Sequence, residues 1–182
     1  MDSFTLLKDI TGKKYVGFID YALQSSTSCT FFLPYFYVLN PEMMEDLLPD
    51  AAQNAAAPET TSDPYKTEWE RYIRRMEARI EPIRDSVLHC GRDFQYLGFG
   101  YGHLCETYRL RLDRDCVKEF LLSENSLFSW RYPNAPEDIS FFRGDTVWCR
   151  TVAHEKRAFF DGISPQEAAL IRKRFVRWGR IK

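Results

Sequence analysis

Three acidic residues and a histidine near the end of the chain could take part in acid–base chemistry. Glu137 and Asp138 follow Pro136, and His154 is followed directly by Glu155. A histidine beside a carboxylate is a common combination for moving a proton near neutral pH, as a hydrolytic enzyme does. Glu137, Asp138, His154 and Glu155 are therefore the candidate catalytic residues.

The predicted strand that carries some of these residues limits the chemistry that they can perform. On a regular strand Trp148, Arg150 and His154 share one face, whereas Cys149 points to the other. A Cys–His nucleophile pair is therefore disfavoured, because the base must reach the thiol by a hydrogen bond. A His–Glu pair at a strand end more often fixes that end than catalyses a reaction. A hydrolytic enzyme that uses His154 and Glu155 is therefore the alternative interpretation.

Four larger side chains in the same region are candidate binding residues: Trp130, Arg143, Trp148 and Arg150. Tryptophan and arginine are enriched among the residues that carry most of the energy of protein–protein interfaces. No complete catalytic or cofactor motif accompanies them in the sequence. The first interpretation is therefore a non-catalytic binding module, of the accessory or immunity type, that acts through a protein partner.

Histidine and cysteine also occur together at 89–90 and at 103–105, which raises the question of a zinc site. Zinc is held by such side chains, but the sequence has no C-x2-C pair to provide the first two ligands. The glycine-rich stretch 98–102 lacks the lysine and the spacing of a phosphate-binding loop. We therefore expect neither a metal nor a cofactor.

The charge balance disfavours a protein that coats nucleic acid. The net charge is −1 and the isoelectric point is about 6.3, whereas nucleic-acid-binding domains are commonly strongly basic. The end of the chain is the exception, because cations alternate there with Phe175 and Trp178. These cations could contact phosphates and leave nucleic-acid binding as a third interpretation: Arg172, Lys173, Arg174, Arg177, Arg180 and Lys182.

The predicted location is the cytoplasm. No basic segment followed by an apolar run begins the sequence, and no apolar stretch is long enough to span a membrane. The five cysteines are odd in number and scattered, which is typical of free thiols in a reducing compartment. We therefore expect no membrane partner.

The first half of the chain is predicted to be mainly helical. Apolar spacing indicates a helix over 4–24, in which Gly12 could separate two parts, and a buried strand over 29–33. A mobile connection is predicted over 49–64 from its prolines, alanines and hydroxyl residues. An inserted arginine-rich helix follows over 67–86, with Thr67 and Glu70 as a capping box and Pro82 bending or ending it.

The second half is predicted to contain most of the sheet. Alternation indicates two strands within 94–112, a helix after Asp113, and a hairpin over 139–154 around Gly144. A third strand is expected near 158–160, followed by a helix that Ser164 caps. The sequence therefore predicts one α+β domain over 1–182. Its antiparallel or mixed sheet would have about four to six strands, with helices mainly on one face.

A pattern in the last third of the chain resembles one found in a family of small, uncharacterised bacterial proteins. It comprises residues 127–130 (Leu-Phe-Ser-Trp), residues 136–142 (Pro-Glu-Asp-Ile-Ser-Phe-Phe), Trp148, and His154 with Glu155. The helix and strand over 15–33 are compatible with that family, whereas the arginine-rich helix is a departure from it. The resemblance implies a small α+β fold and no enzyme class. The pattern could form either a polar structural network or the rim of a pocket.

Overall fold

The computed structural model describes residues 2–34, 64–93 and 105–176. Four α-helices lie within these ranges: α1 (Lys13–Ser25), α2 (Pro64–Ile80), α3 (Asp115–Leu122) and α4 (Pro165–Phe175). The strands are β1 (Asp2–Leu6), β2 (Ser28–Pro34), β3 (Val87–Asp93), β4 (Cys105–Arg111), β5 (Glu137–Arg143), β6 (Thr146–Val152) and β7 (Arg157–Ile163). Short 3-10 helices cover Glu81–Ser86 and Ala153–Glu155.

The seven described strands form one sheet in the order β1-β7-β6-β5-β2-β4-β3, and every neighbouring pair is antiparallel. The predicted α+β class is confirmed, but the sheet has more strands than the expected four to six. The strands that the sequence did not indicate are β1 and β3, at the two ends of this order. In β1 the exposed Ser3 and Thr5 alternate with Phe4 and the buried Leu6, a pattern too short to be distinctive.

The helices pack on one face of the sheet through aromatic side chains. Phe18 of α1 contacts the rings of Phe141 and Phe160 in the sheet and of Phe175 in α4. Helix α4 also contacts β1 and β7 directly, so α1 and α4 lie side by side on the sheet. Phe120 of α3 packs on Phe31 of β2 on the same face. Among the described helices, none has the length and apolar character needed to cross a membrane.

A β-bulge changes which way the side chains of β6 point. Phe141 lies opposite Cys149. The next residue of β5, Phe142, lies opposite Val147, so Trp148 is the extra residue of the bulge. The bulge turns the Trp148 indole toward the helices. The predicted strict alternation along this strand is therefore wrong.

Arg150 consequently lies on the face opposite Trp148. Trp148 contacts Phe18 and Tyr21 of α1, whereas the Arg150 guanidinium lies 4.9 Å from the centre of the Phe159 ring. The expectation that Trp148 and Arg150 share one face of the strand is wrong. The register shift that separates them depends on pairing with β5 and cannot be seen in β6 alone.

Two predicted helix starts are also corrected. The segment 4–24 is not helical throughout, because β1 precedes α1 and Gly12, with φ of 57°, forms the turn between them. Helix α2 begins at Pro64, so Thr67 lies inside the helix and does not cap it. The same helix ends at Ile80 and a 3-10 helix covers Glu81–Ser86, so the predicted end at 86 is wrong and Pro82 lies where the α-helix stops.

Helix capping at α3 and α4 gives opposite results. Asp113 does not cap α3, which begins two residues later; its carboxylate instead lies 3.0 Å from Arg111 Nε. The cap of α4 is confirmed, because the Ser164 hydroxyl accepts a 3.1 Å hydrogen bond from the Glu167 backbone amide. Of the predicted connection over 49–64, only Pro64 falls within the described residues.

Candidate functional site

Asp138 lies at a strained position in β5 and joins two neighbouring segments. Its φ is 47°, a left-handed conformation that costs a non-glycine residue roughly 1–2 kcal/mol. The backbone amide of Asp138 donates a 3.1 Å hydrogen bond to the Trp130 carbonyl, and its Oδ1 accepts a 2.6 Å bond from the Ala153 amide. The residue is 3% exposed. The structure therefore gives this candidate catalytic acid a role in holding three segments together.

Glu137, the residue before Asp138, has a carboxyl group with a raised pKa. Its Oε1 accepts a 3.4 Å hydrogen bond from the Tyr132 amide. Burial, followed by the nearby Asp138 charge, raises the pKa of Glu137 to about 7, although His154 acts in the opposite direction. Glu137 can therefore gain or lose a proton near neutral pH.

His154 and Glu155 lie on the 3-10 turn that follows β6 and face solvent. The His154 side chain is 55% exposed, and its Nε2 lies 4.0 Å from Glu155 Oε1. Glu155 Oε2 also lies 3.3 Å from Arg157 Nη1. The four candidate catalytic residues therefore meet at one end of the sheet, with His154 accessible and Asp138 enclosed.

The two candidate binding tryptophans lie in the core. Trp130 is fully buried, and its Nε1 donates a 2.8 Å hydrogen bond to the Tyr15 hydroxyl. Trp148 is 1% exposed, and its Nε1 donates a 2.8 Å bond to the Ser26 hydroxyl. Both indoles are packed and hydrogen-bonded within the chain, so a contact with a partner would require these side chains to move.

The two candidate binding arginines are held by acidic residues. Arg143 forms a salt bridge with Glu167, and its Nε donates a 3.0 Å hydrogen bond to the Ser25 carbonyl. Arg150 Nε lies 3.8 Å from Asp161 Oδ2. Arg143 therefore joins β5 to α1 and α4, whereas Arg150 lies near one acidic side chain. A role in binding stays a prediction for each.

A cleft of about 430 Å³ lies next to the polar network around Asp138. Three segments form its walls: the loop after β1, residues 124–134, and the turn after β6. Hydrogen bonds join the first two segments, from the Leu127 amide to the Ile10 carbonyl at 3.0 Å and from the Phe128 amide to Asp9 Oδ1 at 3.0 Å. The cleft is lined by Leu7, Asp9, Glu124, Ser126, Phe128, Ser129, Arg131, Asn134 and Lys156.

The acidic side chains of the cleft have partners within the chain, whereas its two cations form no ion pair with a described residue. Asp9 accepts the Phe128 amide, and Glu124 Oε1 lies 2.6 Å from Arg79 Nη2. Arg131 and Lys156 are exposed, and neither forms an ion pair with any residue that the structure describes. The cleft therefore offers two cations while both of its acids already have partners.

Sequence reasoning missed most of this cleft. Phe128 and Ser129 belong to the pattern quoted for the family resemblance, but Leu7, Asp9 and Lys156 carry no motif. Leu7 is the most exposed large apolar residue of the described chain, at 72%. No local pattern could have indicated the site, because its walls come from three segments that are distant in sequence.

Two further sequence hypotheses fall partly outside the described residues. Where the chain is described, no group of three or more His, Cys, Asp or Glu side chains is placed to hold a metal ion. Of the basic C-terminal residues, Arg172 lies in α4 with its guanidinium 4.2 Å from the centre of the Phe4 ring. The tail over 177–182 lies outside the described residues.

Comparison with known proteins assigns the chain to no family: no protein-family model, no curated protein and no solved structure matches it. The resemblance to the small bacterial proteins therefore stays a prediction. Any function has to be argued from the cleft and the network beside it.

Proposed function

We propose that the protein is a non-catalytic binding module that takes a segment of a protein partner in the cleft. One observation carries the proposal: Arg131 and Lys156 line the cleft without ion pairs, whereas Asp9 and Glu124 are engaged. Both cations are exposed, and a partner that supplies an anion complements their charge. The expected occupant is therefore a segment with an acidic side chain.

The size and the rigid walls of the cleft support binding of a short protein segment. A volume of about 430 Å³ lies within the range of ligand sites, roughly 300–1,000 Å³. The exposed Leu7 adds an apolar contact at its rim. Hydrogen bonds through Asp138 and Asp9 hold the walls in place, so little conformational freedom is lost on binding.

Native mass spectrometry of the tagged protein purified from its source cells tests the proposal. We expect a copurifying protein at fixed stoichiometry that the double variant Arg131→Glu with Lys156→Glu loses. The matched control is Arg111→Glu with Arg114→Glu, which changes the net charge equally at two exposed arginines outside the cleft. Retention of the partner by the cleft variant, or the absence of any stoichiometric partner, contradicts the proposal.

An acid–base hydrolase is the second candidate, and one specific observation favours it. Burial raises the pKa of Glu137 to about 7, and the electrostatic interaction with the exposed His154 acts against this rise. A carboxyl group with this pKa can exchange a proton near neutral pH. A screen with ester and amide substrates tests it: activity that disappears in both His154→Ala and Glu137→Gln would replace the binding module with an enzyme.

The proposed compartment is the cytoplasm. All five cysteines are free, and three of them are buried as small apolar side chains. Reduced thiols persist in reducing compartments. Labelling of intact cells with a membrane-impermeant thiol reagent tests this, because a cytoplasmic protein leaves the exposed Cys90 unmodified.

A further inference from the structure

Helix α2 presents a stripe of arginines to solvent. Arg71, Arg74, Arg75 and Ala78 follow the i, i+3, i+4, i+7 spacing of one helix face, and all four are exposed. They border a shallow surface depression that is open to solvent. The opposite side of α2 is buried, through Tyr72, Met76 and Ile80. The packing of this helix therefore leaves its cationic face to solvent.

The stripe contains no acidic residue. At about 100° per residue, Glu70 and Glu77 lie to one side of it. Arg71 and Arg74 form no ion pair with any part of the chain that the structure describes. Arg75 is anchored at one end, where its Nη2 donates a 2.9 Å hydrogen bond to the Pro133 carbonyl.

The same contact links the stripe to the cleft. Arg79, one turn further along α2, donates a 3.3 Å hydrogen bond from Nη1 to the Asn134 carbonyl. Asn134 and Arg131 belong to the turn after Trp130 and both line the cleft. We define the cationic band as Arg71, Arg74, Arg75, Arg131 and Lys156.

We propose that the cationic band binds an extended acidic segment of the partner protein, an inference that rests on the proposed function. The planar guanidinium group matches a carboxylate with two parallel hydrogen bonds. Ala78, at the C-terminal end of the stripe, has a small side chain that leaves space for the backbone of a bound segment to approach. One carboxylate would enter the cleft, and the following ones would meet Arg74 and Arg71.

A protein segment fits this band better than a nucleic acid does. Proteins that bind single strands combine cations with aromatic rings on which bases stack. The described side chains of α2 expose no aromatic ring, because Tyr72 is fully buried. The protein has a net charge of −1 and an isoelectric point of about 6.3, whereas nucleic-acid-binding domains are commonly strongly basic and attract nucleic acid over a long range.

Fluorescence anisotropy with the full chain tests the chemistry of the band. The probes are a labelled glutamate-rich peptide containing leucine, its glutamine counterpart, and an oligothymidylate of the same net charge as the acidic peptide. We expect the acidic peptide to bind, and Arg71→Glu with Arg74→Glu to weaken it at least about tenfold, equivalent to 1.4 kcal/mol. The control Arg111→Glu with Arg114→Glu should change binding less than about twofold.

Three results would overturn the inference: no binding of the acidic peptide, equal binding by Arg71→Glu with Arg74→Glu, or tighter binding of oligothymidylate. The double variant Arg71→Lys with Arg74→Lys keeps both positive charges but removes the planar guanidinium groups that form two parallel hydrogen bonds. It should lose only part of the affinity. Circular dichroism of every variant confirms that it is folded.

The native mass spectrometry experiment separates this inference from the proposed function. If the partner is lost from the cleft variant but retained by Arg71→Glu with Arg74→Glu, the binding module stands and the acidic segment along α2 is rejected. If both variants lose the partner and the Arg111→Glu with Arg114→Glu control keeps it, the band and the cleft act together.

Discussion

Glu137 and Asp138 are neighbours in sequence, yet the fold uses their carboxyl groups in opposite ways. Asp138 Oδ1 accepts a hydrogen bond from the Ala153 amide and so ties β5 to the turn after β6. Glu137 lies mostly buried beside the negative charge of Asp138, and its pKa rises to about 7. The two carboxyl groups therefore lie in different surroundings, that of Asp138 at a backbone amide and that of Glu137 in a buried position next to a negative charge.

Replacing Glu137 by Gln should stabilise the protein above neutral pH. The pKa is higher in the folded chain, about 7, than the ordinary 4.5, so the folded state binds more protons between these values. Stability therefore falls as pH rises through this window. At 1.36 kcal/mol per pKa unit, Glu137→Gln should gain on the order of 3 kcal/mol at pH ~8 and little at pH ~4.

Urea unfolding over a series of pH values measures this difference. Glu119→Gln, at an exposed position of α3, is the matched control and should leave the curve unchanged. If the difference in unfolding free energy between Glu137→Gln and the wild type stays constant with pH, Glu137 is not a buried carboxyl with a raised pKa.

At the scale of elements, one ion pair joins three parts of the fold. Arg143 at the end of β5 bridges Glu167 in the first turn of α4, and its Nε bonds to the Ser25 carbonyl at the end of α1. Tyr21 donates its hydroxyl hydrogen bond to Glu167. Burial alone would raise the pKa of Glu167, but the hydrogen bonds from Arg143 and Tyr21 outweigh it and lower the pKa.

A double-mutant cycle should detect this clamp. We expect Arg143→Ala and Glu167→Gln to be coupled by about 1–2 kcal/mol, more than an exposed pair contributes, because the Glu167 side chain is only 18% exposed. Thermal unfolding of the two single variants and the double variant gives the coupling. The exposed pair of Arg111 and Asp113 is the control. If the losses of stability caused by Arg143→Ala and Glu167→Gln are additive in the double variant, the two side chains are not coupled and the clamp is contradicted.

At the scale of the whole molecule, the sheet and its helices enclose an aromatic core that contains two cysteines, Cys29 and Cys149. Cys29, Cys105 and Cys149 are buried, Cys116 is partly buried and Cys90 is exposed on β3. Burial raises the pKa of the Cys29 and Cys149 thiols, which reduces their reactivity further.

Thiol labelling should therefore show distinct classes of cysteine. Cys90 should react first with a disulfide reagent, followed by Cys116. The three buried thiols should react only as fast as the protein unfolds. Mass spectrometry of the labelled chain assigns each site, and labelling in urea is the control in which all five react. Rapid modification of Cys29 or Cys149 in the native protein would contradict the described core.

The sequence alone determined the features that depend on neighbouring residues. The β5–β6 hairpin, the Ser164 cap and the interruption of α2 at Pro82 were predictable, because turn, cap and proline effects act within a few residues. The α+β class followed from the order of such elements. The pattern over 127–155 also marked, as a possible pocket rim or polar network, the part of the chain that lies beside the cleft.

Only the tertiary structure decided how the functional groups meet. The face on which Trp148 lies depends on its pairing with β5, and the charge state of Glu137 depends on burial and on Asp138. The cleft joins Leu7, Arg131 and Lys156 from distant parts of the chain. These properties arise from long-range contacts and from the exclusion of water, and no local pattern of residues carries that information.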